Sequence, residues 1–299
     1  MEERKKDNFQ GETERLIAEA ENRFAKRLEE ICERLAERKE VRLLRLVGPT
    51  CSGKTTAAQL LERSFAERGK RLHTISIDDF YYDKDVLHAR SNGAVDYDSV
   101  NTIDLPALKL FLDELFSAER SHCPIFDFQE GRRVGYRLME CGEDDLFLFE
   151  GIQVLYPELT ALFEAGGHVA ETIYIAPLTS VKAGERIFEP NELRLLRRLV
   201  RDHKKRNTPV ERTLSLWSGV RNNEEKNIFP YVDTCTYRID SAMPYELGIL
   251  APYLRKLLPS IHAESPYFAQ AQSILRCMDG VKEIPDRLLP ADSLYREFV

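Results

Sequence analysis

The residues 48–55, Gly48-Pro49-Thr50-Cys51-Ser52-Gly53-Lys54-Thr55, carry the spacing G-x-x-x-x-G-K-[ST]. In such a loop backbone N–H groups close on phosphates, the lysine reaches the β and γ phosphates, and the final hydroxyl serves Mg2+. Gly48, Thr50, Cys51, Ser52, Gly53, Lys54, Thr55 and Thr56 are thus the expected nucleotide-binding set. Cys51 reads as a small filler, or, because helix N-termini favour thiolates, as an oxidation-sensitive thiol. Further on, Ser76-Ile77-Asp78-Asp79-Phe80-Tyr81 offers two adjacent acids. They suit a metal ion or the acceptance of a proton from an attacking hydroxyl, and they also fit a simple turn cap. Glu150, before Gly151, ends an apolar run, where a carboxylate is costly unless it serves a cation or a bound water. It is expected in the magnesium shell with Thr55 and Asp78. Finally, Arg194, Arg197, Arg198 and Arg201 fall near one face of a helix in 193–206. An arginine face of this kind can close over polyphosphate and neutralise transition-state charge; a solvated basic helix and an RNA patch are the alternatives.

These groups need elements to hold them. Apolar runs at 41–47, 72–77, 124–128, 146–149, 172–175 and 234–239 alternate with stretches long enough for crossover helices. Several are too continuous for a half-exposed sheet, which predicts a doubly wound α/β fold with a mostly parallel sheet and helices on both faces. Ligands in such sheets bind beyond the carboxyl ends of the strands, where the acids stand. Behind the loop, Ala57, Leu60, Leu61 and Phe65 recur at helical spacing up to a stop at Gly69. In residues 1–40, Leu16, Ala20, Phe24, Leu28, Ile31 and Leu35 define an amphipathic helix. It is expected to pack on the domain or on a second subunit, or to serve as a partner-binding arm. The expected organisation is a helix over 1–40, a domain built on the phosphate loop over 41–260, and a C-terminal helix and tail packed on it over 261–299. Trp217 reads as core.

Composition narrows the function. The chain has 299 residues, 43% of them apolar, and a net charge of -7, which argues against general nucleic-acid binding. Six cysteines lack C-x-x-C spacing, so neither a zinc site nor a disulfide framework is expected. The start has no apolar signal core, and no apolar run approaches the ~18 residues of a membrane span. A cytoplasmic protein, without membrane attachment and open to homo-oligomerisation, is the expectation. No Asn-Lys-x-Asp guanine-reading element is present, as a GTPase switch would require, and Lys54 and its acids all stand, as a degenerate regulator would not require.

The phosphate loop, the Ser-x-Asp-Asp-Phe-Tyr element at 76–81, Phe149-Glu150-Gly151 and Arg-Arg-x-x-Arg-Asp at 197–202 occur in that order. Together with 97–104 and 124–128 they resemble the uridine kinase and phosphoribulokinase family of P-loop kinases over about residues 41–243. The ending 289–298 is similar to the C-terminus of a bacterial nucleoside kinase branch. The resemblance implies a P-loop NTPase fold with a basic helical lid. It implies transfer of the γ-phosphoryl group of ATP, or GTP, with Mg2+, to a hydroxyl, in uridine kinases the 5'-hydroxyl of uridine or cytidine. By position it makes Asp78 the general base, with Lys54, Arg198 and Arg201 at the transferring group and Thr55 and Glu150 beside Mg2+. Asp98 would hold ribose hydroxyls, Tyr81, Tyr97 and Phe126 would flank the acceptor, and Arg206 would join Arg198 and Arg201 in the lid. Three departures stand out: Gly131 lies where uridine kinases carry a base-reading histidine, Phe126 replaces a tyrosine, and Thr208 an arginine. A site discriminates a base strongly only while its hydrogen-bond partners are present. Another small hydroxyl acceptor, such as a different nucleoside, a sugar phosphate or a pantothenate-like alcohol, is therefore a rival reading, and a nucleotide-dependent switch is another.

Overall fold

The computed structural model describes residues 2–90, 99–167 and 169–299, with side chains from Gln10 onward. Helix α1 (Glu2–Ala36) leads into β1 (Val41–Val47), the phosphate loop and α2 (Lys54–Ala66). Then come β2 (Leu72–Ser76), the short α3 (Lys84–Arg90) and α4 (Leu105–Ser117). A hairpin of β3 (Arg120–Asp127) and β4 (Arg132–Glu140) precedes β5 (Leu146–Glu150), α5 (Pro157–Ala165) and β6 (Val169–Ala176). A small hairpin, β7 (Val181–Ala183) and β8 (Arg186–Phe188), opens onto α6 (Pro190–Arg206) and α7 (Val210–Asn227). After β9 (Tyr237–Asp240), α8 (Glu246–Leu257) and α9 (Phe268–Met278), a 3-10 turn at Leu294–Glu297 lies near the end of the chain.

β1, β2, β5, β6 and β9 form one parallel sheet in the order β2-β5-β1-β6-β9. Its strands are apolar on both faces because helices cover both. On one side Leu44, Leu46, Leu148 and Ile175 pack with α1, α2, α6 and α8; on the other Phe147 and Phe149 pack with Phe111 of α4 and Phe163 of α5. Each fully buried aromatic or aliphatic side chain of this kind stabilises the fold by about 1.5–3 kcal/mol. Register then decides where the chemistry gathers. Glu150 lies opposite both Ser76 of β2 and Leu46 of β1, so the phosphate loop, Asp78 and Glu150 all emerge from the same edge.

Two expected strands differ. The run 124–128 is not in the parallel sheet: β3 pairs antiparallel with β4, with Pro124 opposite Tyr136, and exposed residues alternate with buried ones along part of it. Pro124 has no N–H to give to a central ladder, and a half-exposed hairpin tolerates it. The run 234–239 begins late, because Phe229–Thr234 is a 3-10 helix and β9 starts at Tyr237.

In α1 the buried face runs through Ile17, Ala20, Phe24, Leu28, Ile31, Cys32 and Leu35, while Leu16 is 39% exposed. The stripe packs on α2 and β9 of the same chain, and Tyr245 donates a hydrogen bond to Glu21. The predicted amphipathic helix is thus an integral wall of the domain, one residue out of register with its expected start.

Candidate active site

The loop after β1 curls so tightly that only glycine fits its two ends. A Cβ at Gly48 would stand 2.1 Å from the Ile175 carbonyl oxygen of β6. At Gly53 the backbone is left-handed, with φ +93°, and a Cβ would strike Leu294 at 2.1 Å. Gly53 is the N-cap of α2, and no side chain caps that end, so its free N–H groups and positive dipole face the loop. Lys54 folds its Nζ back onto the carbonyls of Gly48 (2.9 Å) and Pro49 (3.2 Å). Cys51 is buried, and burial pushes its thiol up rather than down. The expectation of a reactive thiolate there is corrected: desolvation outweighs the helix terminus.

A cleft of about 890 Å³ opens beside the loop. Thr50 to Thr55, Asp78, Tyr81, Glu150, Arg198, Arg201 and Arg206 all line it. Gly48 contributes through its carbonyl, and Thr56 lines a smaller neighbouring cavity. Asp78 is the acid with a perturbed proton: burial first, and the Glu150 charge second, raise it from an ordinary 3.8 to about 6, against the pull of Tyr81 and Lys54. Its neighbour Asp79 turns away, accepting from the Phe126 N–H at 3.2 Å and pairing with Arg137 at 3.4 Å. Of the two adjacent acids one therefore faces the cleft and the other fixes the β3–β4 hairpin.

The hairpin supplies an aromatic corner. Tyr81 meets Phe126 edge-on at 5.7 Å between ring centroids and Phe128 at 6.3 Å. Phe126 does not line the cleft directly; it backs Tyr81, whose hydroxyl accepts from Gln153 at 2.9 Å. Gly131 sits in the hairpin turn, where its carbonyl accepts from the Lys84 N–H. Tyr97 and Asp98 lie outside the described residues.

The basic helix divides in two. Arg194 and Arg197 do not reach the cleft as a lid face: both are buried and bound to acids. Arg194 pairs with Glu224 of α7 at 2.6 Å and Arg197 with Glu246 of α8 at 2.8 Å. They brace the loop from behind, donating to the carbonyls of Thr50 and Cys51 at 3.2 and 3.3 Å. Glu224 completes this brace by accepting from the Thr50 N–H at 3.3 Å. Arg198, Arg201 and Arg206 do face the cleft, and all three lean on the single carboxylate of Asp202, at 3.2, 2.7 and 3.9 Å. Three cations share one anion. Partial desolvation at the cleft mouth and the Arg201 charge together lower the half-exposed Arg206 from its ordinary value, which is the electrostatic condition of a site suited to a polyanion.

This geometry has counterparts. A family model for the "Phosphoribulokinase / Uridine kinase family" matches residues 43–244. The chain belongs to that family. As a member it is a phosphotransferase acting on an alcohol group of a small molecule, and it uses a nucleotide. The uridine kinase of Clostridium novyi (strain NT) is 26% identical over 178 residues, covering 60% of this chain and 76% of that protein. The uridine kinase of Lactobacillus helveticus (strain DPC 4571) is 24% identical over 177 residues, covering 59% and 75%. A solved structure of a candidate fructose transport system kinase from Silicibacter sp. TM1040 overlays with a TM-score of 0.50 at 18% identity, over 71% of this chain and 97% of that one. This last likeness concerns the fold alone. Among the described residues no helix is long and apolar enough to cross a membrane.

Two cleft residues had no signal in the sequence. Glu224 is one acid among several in a polar helix, and Glu297 comes from the far end of the chain. Only the folded arrangement brings them to the loop.

Proposed function

We propose that the protein transfers the γ-phosphoryl group of ATP to the 5'-hydroxyl of a pyrimidine nucleoside, uridine or cytidine. The observation that carries this reading is the meeting of Lys54, the raised Asp78 and the Asp202-anchored arginines in one cleft at the carboxyl edge of the sheet. Phosphoryl transfer asks for little covalent help and much positioning and charge neutralisation. Asp78, ionised above about pH 6, accepts the proton of the acceptor hydroxyl. Lys54 swings from its carbonyl contacts to the β and γ phosphates, and Arg198 and Arg201 neutralise the charge spreading over the transferring group. Arg206, 59% exposed in its side chain, closes the outer end.

Thr55, Asp78 and Glu150 offer a hydroxyl and two carboxylates, an all-oxygen set that suits Mg2+. Among the described residues no group of three or more His, Cys, Asp or Glu side chains could hold a metal alone. That fits an ion bound through one or two carboxylates together with the phosphates of its nucleotide. Bound there, Mg2+ would neutralise phosphate charge.

The acceptor corner favours one further reading. Tyr81, Phe126 and Phe128 give an aromatic surface with few donors, and Gly131 brings no side chain to read a base edge. A different small alcohol, such as another nucleoside or a sugar phosphate, is the second reading. Coupled ADP release with ATP and Mg2+ separates the two on a panel of uridine, cytidine, other nucleosides, ribulose 5-phosphate and pantothenate. Turnover with uridine or cytidine supports the first reading and turnover only elsewhere supports the second. Silence throughout refutes both.

A further inference from the structure

We propose that one stripe of α7, Gly219, Asn223 and Asn227, reads the phosphoryl acceptor: a flat pyrimidine ring lies across the bare backbone at Gly219 while the two amides hydrogen-bond its edge. The inference rests on the pyrimidine nucleoside reading above. It assigns to α7 the recognition of the base, for which the turn at Gly131 offers no side chain.

The three residues follow one another at helical i, i+4 spacing, so they share one face of α7. All three line the main cleft, as Asp78 and Tyr81 do. Gly219 is the unexpected member. A glycine inside a helix destabilises it relative to alanine, and the fold asks for none here. The Gly219 backbone is not left-handed, and a Cβ added to it would meet no atom within 4 Å among the described residues. Since Gly219 lines the cleft, the use left for its missing side chain is the close approach of a ligand to the backbone.

The amides supply the chemistry. Asn227 Nδ2 donates to Asn223 Oδ1, which orients both groups. Asn223 Nδ2 is left as a donor and Asn227 Oδ1 as an acceptor, each without a partner among the described residues. Both side chains are half-buried, and both free atoms keep solvent-accessible surface. A donor beside an acceptor matches neighbouring positions on a pyrimidine edge: a ring carbonyl and the N3–H of uracil, or N3 and the amino group of cytosine. The stripe also stands where an acceptor is needed. Glu224, next to Asn223, accepts from the Thr50 N–H at 3.3 Å, at the start of the phosphate loop, whereas the donor's phosphates extend to its other end over the N-terminus of α2. Ile228, which follows Asn227, belongs to the same apolar cluster as Tyr81, close in sequence to Asp78.

The test is steady-state kinetics with uridine, cytidine and 3-methyluridine at saturating ATP and Mg2+, beside calorimetric binding of ADP with Mg2+ and thermal melts. It compares wild type, Gly219→Ala, Asn223→Ala and Asn227→Ala. Wild type should use uridine about tenfold better in kcat/KM than 3-methyluridine, which lacks the N3–H. Asn227→Ala should bring that ratio close to one, and Asn223→Ala should raise KM for uridine about tenfold. Gly219→Ala should raise KM for uridine and cytidine by about tenfold or more, the size of a one-carbon misfit in a binding site. Its ADP affinity should be unchanged, and its melting temperature should rise by about 1–4 °C as the helix gains an alanine. A Gly219→Ala protein that melts below wild type, or whose KM for uridine moves by less than about twofold, overturns the platform. So does an unchanged uridine to 3-methyluridine ratio in Asn227→Ala. Wild type that turns over uridine and 3-methyluridine equally well overturns the stripe alone, and wild type that binds ADP yet turns over neither uridine nor cytidine overturns the pyrimidine reading with it.

Discussion

Replacing Glu246 with glutamine should unfold this protein more readily than any exposed charge change. Arg197 sits where four segments cross: it donates to Glu246 at the start of α8, to Ser241 after β9, to the Tyr295 hydroxyl and to the Cys51 carbonyl in the phosphate loop. Both partners of the ion pair are 0% exposed. Tyr295 also donates to Glu246 at 2.6 Å, and the rings of Tyr295 and Phe298 lie 5.0 and 5.5 Å from the guanidinium carbon. Burial disfavours the Glu246 charge while Arg197 opposes that effect; the close contacts from Arg197 and Tyr295 keep the carboxylate ionised. Removing one partner of such a pair costs about 3–5 kcal/mol, because the other charge is left buried and alone. Glu246 Oε1 has no partner even in the native protein, so part of that penalty is already present and the loss should lie near ~3 kcal/mol. At roughly 2–4 °C per kcal/mol for a domain of this size, the midpoint should fall by about 6–12 °C. Thermal melts at pH 7.5 of wild type, Glu246→Gln and, as an exposed control, Glu19→Gln beside Arg15 measure it, the control costing about 0–1 kcal/mol. A Glu246→Gln midpoint no lower than that of the control would refute the claim that an uncompensated Arg197 charge governs this junction.

Lys54→Ala should lower kcat by about 100-fold or more with little change in melting temperature, since among the described residues Nζ hydrogen-bonds to two loop carbonyls; a drop of less than tenfold would remove it from the chemistry. Asp78→Asn should abolish turnover, and in EDTA without nucleotide it should stabilise the fold at pH 7.5 by about 3 kcal/mol. The sign follows from a carboxyl at about 6 in the folded protein against an ordinary 3.8. The folded state holds the extra proton between those values, so the penalty is complete above about pH 6 and gone below about pH 4. Urea unfolding across pH 3.5–8 reads this, and a variant no more stable than wild type at pH 7.5 contradicts it. Asp79→Asn should retain kcat within about tenfold while weakening the hairpin contact to Arg137; loss of turnover equal to that of Asp78→Asn would reassign the base. Arg201→Ala should cut kcat about 100-fold, whereas Arg194→Ala, which takes from the buried Glu224 one of its two arginines and leaves it Arg221 at 2.8 Å, should instead lower the melting temperature; steady-state rates beside melts distinguish them.

The loop, Asp78 and Glu150 were legible because each is a short local pattern attached to a buried apolar run, and parallel pairing carries such strand ends to one edge. The arginine helix was legible only halfway. Helical spacing says that Arg194, Arg197, Arg198 and Arg201 lie near one another, but not what stands opposite. The acids that claim the first two, Glu224 and Glu246, come from later helices. The run at 124–128 looked like a sheet strand because five residues cannot distinguish a central strand from the buried half of a hairpin. Asp79 could not be separated from Asp78 without the Phe126 N–H and Arg137 that hold it. Glu297 stands far from every motif, and nothing in a linear reading ties it to Lys54.

The contact of Gly53 with Leu294 sets a timetable for the birth of the enzyme. At about 5–20 residues per second, the ribosome needs on the order of 12–50 s to travel between those two positions. Through that interval the strands and α2 can collapse, but the underside of the loop lacks its cover, and Arg197 waits inside an apolar core for Tyr295. The nascent chain therefore carries an open, charged gap under its phosphate loop until the segment around Leu294 and Tyr295 has been made. That is the stage at which a holding chaperone, or an early-bound nucleotide, would have the most to protect.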